Sequence, residues 1–172
     1  MTVVSNTSPL RYLIAVGRTD LVEHIFGRVL IPLAVQRELT HESAPRAVRQ
    51  WMAQRPRWLA IRDSPRPPDA ELAKRLDCGE AEAIQLAADL GADFLLMDER
   101  SGRRIATARG LTVIGALGIL LVSYGQGLLQ NPLEVLAQLR ATGFRISRRL
   151  AQGFEERIRV MKPKTEPGSR LR

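Results

Sequence analysis

The stretch Gly79–Ala106, GEAEAIQLAADLGADFLLMDERSGRRIA, decides the fold. It reads as helix, strand, helix. Glu80 to Leu90 is a strong helix pattern, and Gly91 ends it. Phe94-Leu95-Leu96-Met97 is a short, unbroken apolar run, the mark of a strand covered on both faces. Residues 99–109 read as a second helix up to Gly110, and Leu111 to Ile114 as a further strand. Two such strands joined through a helix call for parallel pairing, with helices lying on the sheet.

The same alternation extends upstream. Val3-Val4 begin a first strand ending near Asn6, and Pro9 suits the first position of a helix capped by Thr7 or Ser8. Gly17 closes that helix, and Asp20 to Phe26 form another. Val29-Leu30-Ile31 is a second strand, from which Pro32 opens a helix to about Leu39. Residues 45–54 are expected to be helical, Trp58 to Ile61 to be a third strand, and the Pro-rich stretch 64–69 to be a loop. Downstream, helices are expected at 116–124, 132–141 and 147–160, followed by an aperiodic, mobile tail from Lys162. Residues 1–145 are expected to form one α/β domain, and residues 146–172 a basic helix and tail.

Charge is unevenly placed. The net charge is +8, yet residues 1–139 carry 16 basic and 15 acidic side chains, whereas residues 140–172 carry 10 and 3. Residues 46–66 form a second basic patch, and residues 69–99 run acidic, with nine carboxylates against Lys74 and Arg75. A basic rim around an acidic centre suits a protein that attracts phosphate and holds cations. The single cysteine, Cys78, excludes a disulfide framework and points to a reducing, cytoplasmic location. Met1-Thr-Val-Val-Ser-Asn does not read as a signal peptide, and the longest apolar stretch, Val113 to Val122, is too short to cross a bilayer.

In a doubly wound sheet, ligands bind past the carboxyl ends of the strands, where the winding reverses. Asn6 and Asp98 sit at such ends, and Glu38 and Glu80 lie in helices able to lean over the same crevice. Oxygen ligands gathered in this way suit Mg²⁺ or Mn²⁺, which would activate water and stabilise charge on a phosphodiester. Each residue also has a plainer reading. Glu80 fits the return arm of a capping box begun by Asp77, Asp98 a helix cap, Asn6 a turn bridge and Glu38 a solvated helix position. Arg100, Arg103 and Arg104 are candidates for binding nucleic-acid phosphate, or else a solvated face. His24 and His41 lack partners for zinc, no histidine is spaced to serve Ser8 or Ser101, and Gly-rich phosphate loops are absent.

Five segments, in order, resemble PIN-domain proteins of the VapC-like toxin branch. They are Val4-Ser5-Asn6-Thr7-Ser8-Pro9-Leu10, Ile31-Pro32 with Val35 and Glu38-Leu39, Gly79 to Ile84 with Ala87, Leu95 to Arg100 with Gly102-Arg103-Arg104, and Gly110 to Gly115. The resemblance implies a three-layer fold with a sheet of order 3-2-1-4-5. It further implies an Mg²⁺- or Mn²⁺-dependent endoribonuclease, commonly a homodimeric toxin silenced by a small antitoxin. It maps metal ligands onto Asn6, Glu38, Glu80 and Asp98, catalytic roles onto the three carboxylates, and supporting hydroxyls onto Thr7 and Ser8. PIN nucleases usually carry Asp where this chain has Asn6. An amide ligates through its oxygen without bringing charge, which leaves open a catalytically weak module that binds RNA or a partner.

Overall fold

A computed structural model describes residues 1–164. The elements follow in chain order: β1 (Val3–Ser5), α1 (Thr7–Ala15), α2 (Asp20–Phe26), β2 (Val29–Ile31), α3 (Leu33–Thr40), α4 (Arg46–Ala53), β3 (Leu59–Ile61), α5 (Ala70–Arg75), α6 (Cys78–Leu90), β4 (Phe94–Leu96), α7 (Arg100–Ala108), β5 (Val113–Ile114), α8 (Ala116–Gly125), α9 (Pro132–Ala141) and α10 (Arg148–Val160). The strands make one parallel sheet of order β3-β2-β1-β4-β5. Val4 of β1 pairs with Leu30 on one side and Leu95 on the other. The winding therefore reverses between β1 and β4.

Side chains alternate across a strand, so adjacent residues of β1 enter different cores. Val3 packs with Leu10, Leu13 and Ile25 on the face covered by α1, α2 and α8, and Val4 packs with Ile84, Leu86 and Ala106 on the face covered by α6 and α7. Both valines are fully buried, which is why the strands read as continuous apolar runs rather than alternating ones.

Several local details depart from the sequence expectations. Asn6, not Thr7 or Ser8, caps α1, and Pro9 stands two residues inside it. The loop 64–69 ends on Asp69, whose Oδ1 accepts from the Leu72 N–H at 3.0 Å and starts the unexpected helix α5. Six residues are too few to show a helical period. Met97 lies beyond β4, and β5 begins only at Val113.

The helix α10 packs on α8, and its Phe154, 3% exposed, joins the larger core. Leu150 on the same helix stays 54% exposed. The tail expected from Lys162 lies, from residue 165 onward, outside the described residues. Among the described residues no helix is long and apolar enough to cross a membrane.

Candidate functional site

The site begins with Asn6, 3% exposed at the end of β1. Its Oδ1 accepts from the Ser8 N–H at 3.1 Å, which caps α1. This leaves the Nδ2 group facing the crevice, where it donates to Glu99 Oε2 at 3.0 Å. Ser8 Oγ donates to the same carboxylate oxygen at 2.9 Å. Asn6 thus fills the turn-bridging role and at the same time holds a carboxylate contributed by the far end of β4.

Glu38 projects from the last turns of α3, where Thr7 Oγ1 donates to its Oε2 and the Gly79 N–H donates to its Oε1 at 3.0 Å. A Cβ on residue 79 would push that carboxylate aside, so glycine is what lets it reach the residue 79 amide. Glu38 is no solvated helix residue: two elements, α1 and α6, reach out to hold it.

Glu80 is next on α6 and 5% exposed. Asp77 Oδ1 accepts from its N–H at 2.8 Å, so Asp77 is the N-cap. The Glu80 carboxylate in turn feels the Asp77 backbone N–H, the return arm of a capping box, and also lies close to Gly102 of α7. The neighbouring Glu82 has a different duty. Its Oε2 accepts from Ala34 N–H at 3.1 Å, and Asp63 accepts from Leu33 N–H at 2.8 Å, so these two acids cap α3, which begins after Pro32 and has no side-chain cap of its own.

Asp98 does cap a helix, but not the one that follows it. Its Oδ1 accepts from Ala116 N–H at 2.8 Å, at the start of α8. The other oxygen, Oδ2, is shut off from solvent and has no hydrogen-bond partner among the described residues. A Cβ on Gly115 would come within 2.6 Å of Asp98 Oδ1 and 2.9 Å of Arg103 Nη1, so both side chains would have to give way there. Arg103 turns inward and donates to the Met97 carbonyl at 2.7 Å, while Arg100 and Arg104 remain exposed.

These carboxylates repel one another. Burial, with Asp77 and Glu99 beside it, pushes Glu80 up to about 7. Burial, with Glu99 adding to it, pushes Asp98 up to about 6 despite the Ala116 amide and Arg103. Burial also raises Glu38, against the hydrogen bond from Thr7. Glu99 is common to all three and was not singled out from the sequence. The doublet Asp98-Glu99 at a strand end was the available signal, but nothing in spacing alone says which side of the turn the second acid faces.

The donor set is oxygen only, and a buried carboxylate oxygen without a partner is a group that a cation would satisfy. In that respect the residues fit a hard divalent ion. Among the described residues, however, no three acidic, histidine or cysteine side chains already stand close enough to cage one. The carboxylates are tied to protein donors instead.

Comparison with known proteins agrees with this architecture. No curated protein matches the sequence. The fold resembles the solved structure of a PilT N-terminus domain protein from the hyperthermophilic archaeon Sulfolobus solfataricus P2, with a TM-score of 0.51 and 17% identity over 72% of this chain and 93% of that one. At that identity the likeness speaks for the fold alone. The family model DUF3368, described as a PIN domain, matches residues 2–159, an interval that takes in the whole sheet, the acidic crevice and nearly all of α10. PIN domains are generally nucleases that use divalent metal ions, and this chain belongs to the PIN-domain family.

Proposed function

We propose that the protein is an Mg²⁺- or Mn²⁺-dependent endoribonuclease acting in the manner of VapC-like toxins. The observation that carries this reading is the set of crowded carboxylates at the β1/β4 reversal, none in an ion pair among the described residues, with one Asp98 oxygen shut off from solvent and unpartnered. Acids with raised values gathered at a strand-end crevice are the groups from which catalytic and ion-binding sites are built.

Glu38, Glu80 and Asp98 are the proposed metal-holding and catalytic groups, with Thr7 and the Gly79 amide fixing the orientation of Glu38. The ion, when bound, would activate a water molecule and stabilise the charge that develops on the phosphodiester. Asn6 brings no charge, and its Oδ1 is taken by the Ser8 amide, so its part is played through Glu99. Asn6 and Ser8 hold the Glu99 carboxylate in the crevice, which returns to the site the negative charge that an Asp at position 6 would have supplied. A homodimer and a small antitoxin are the partners this reading expects.

The test is cleavage of a labelled RNA with EDTA, Mg²⁺ or Mn²⁺, run beside calorimetric Mn²⁺ binding. Metal-dependent cleavage that disappears in Asp98→Asn supports the proposal. The other reading is a binding module with weak catalysis, favoured by Asn6 and by the absence of a preformed cage among the described residues. RNA binding with neither Mn²⁺ binding nor cleavage would establish that reading instead.

A further inference from the structure

A groove runs from the site toward the C-terminal helix, between α7, α8 and α10. It encloses about 710 Å³, and Asp98 forms part of its wall. A second hollow of about 470 Å³, between β5, α8 and α10, shares Asp98 and Arg103 with it. Five arginines line the groove: Arg100 and Arg103 from α7, Arg145 from the segment before α10, and Arg149 and Arg157 from α10 itself. None of the five makes an ion pair among the described residues, whereas Arg18, Arg66, Arg75 and Arg109 all do. Leu117, Leu121 and Leu150 make an apolar floor.

The wall contributed by α10 has one unusual residue. Gly153 sits in the middle of the helix, where glycine costs roughly 0.5–1 kcal/mol relative to alanine. A Cβ added there meets nothing within 4 Å, so packing against this chain does not demand the glycine. It faces the groove with Arg149 and Arg157, four residues away on either side. A missing side chain at that place leaves the helix backbone open to a ligand.

Resting on the nuclease reading above, we infer that this groove is the substrate track: a single RNA strand lies along α10, its phosphates on the arginines and its bases against the leucine floor, and runs on to Asp98. Charge complementarity selects a polyanion, and the planar guanidinium matches phosphate geometry. The apolar floor selects an unpaired strand, because paired bases do not offer their faces to it. Asp98 is the one carboxylate of the site on the wall of both hollows, so a strand lying in the groove meets the site at that residue.

The inference is tested on the full chain in EDTA, so that binding is read without cleavage, by anisotropy of a fluorescein-labelled single-stranded oligoribonucleotide across a salt series. Arg149→Ala with Arg157→Ala removes two exposed cations. The expected result is about ten-fold weaker binding and a log–log salt slope shallower by about 1.4, at ~0.7 per lost phosphate contact. Gly153→Leu fills the groove without altering charge. It is expected to weaken binding with the salt slope unchanged, and as a better helix former it leaves the fold intact. Lys74→Ala with Arg75→Ala on α5, two exposed cations inside the acidic stretch, is the control, expected to change neither quantity.

Unchanged affinity and slope in both groove variants would overturn the inference, as would a loss confined to the α5 control. It would equally be overturned if the parent bound a synthetic acidic amphipathic peptide but no RNA, since the groove would then be a protein-docking face. Groove-dependent RNA binding by a protein that shows no Mn²⁺-dependent cleavage supports the track while removing the catalytic reading, so the two failures are distinguishable.

Discussion

Two sets of acids in this molecule have opposite surroundings. The exposed Asp69 and Glu71 receive the guanidinium of Arg109, at 2.6 Å and 3.0 Å, and Asp89, its side chain covered, receives Ser64 and Arg66. The hydrogen bonds from Arg109 and the Leu72 amide hold Asp69 down at about 2, and Glu71 and Asp89 are lowered as well. In the crevice, Glu38 is held by Thr7 and the Gly79 amide, Glu80 by the Asp77 backbone, and Asp98 by the Ala116 amide with Arg103 beside it, and burial and the charge of Glu99 raise all three. The surface set is complete as it stands. The crevice set is organised yet left short of positive charge, and that deficit is what a divalent ion would make good.

The largest expected effect breaks this contrast on the crevice side. Asp98→Asn or Glu80→Gln should each lower metal-dependent RNA cleavage by about 10²-fold or more, the scale on which single groups that stabilise transition-state charge act. Circular dichroism should show the fold retained. Parental cleavage rates in both variants would mean that these acids serve only as caps and packing.

The contrast also has a pH signature. The folded-state values of Glu80 and Asp98 lie above their usual ones, so the folded protein binds protons more tightly than the unfolded chain does. The stability this contributes is full below about pH 4 and is lost as pH rises through about 6 to 7. Metal-free protein should therefore melt at a lower temperature at pH 8 than at pH 5.5, by an amount on the order of 1–3 kcal/mol per site. Mn²⁺ should raise the melting temperature more at pH 8 than at pH 5.5. A metal-free melting temperature that rises steadily over that interval would contradict the raised values.

Asn6→Asp sharpens the comparison further. It replaces the Nδ2 donor to Glu99 with a carboxylate oxygen facing that carboxylate. Without metal the variant should lose about 1–2 kcal/mol of stability, since Glu99 keeps only the Ser8 hydroxyl and gains a like charge opposite it. With Mn²⁺ it should reach half-maximal cleavage at a lower ion concentration. If metal-free stability and metal demand both stay unchanged, Asn6 does not govern the charge of the site.

The smallest effect belongs to the surface set. Arg109→Ala removes the partner of Asp69 and Glu71, both solvent-exposed, and should leave cleavage unchanged and the melting temperature only slightly lower. A large loss of cleavage there would erase the distinction between the two sets.

The sequence by itself determined the sheet. Short, doubly covered strands such as Phe94–Leu96 leave an apolar signature that local order alone can produce, and the segments quoted for the resemblance carried the order 3-2-1-4-5. It also placed Asn6 and Asp98 at strand ends, because a side chain's distance from its own strand is a local property. What only the tertiary structure decided is which group each side chain meets. Glu38 and Gly79 are 41 residues apart, Asp98 and Ala116 are 18, and Asn6 and Glu99 are 93. No periodicity encodes such meetings, since they depend on how α3, α6 and α8 settle on the sheet. The same holds for Glu80 and Glu82, near-identical in sequence terms: one step of two residues along α6 turns the first toward α7 and the second onto the start of α3, and only packing says which face is which.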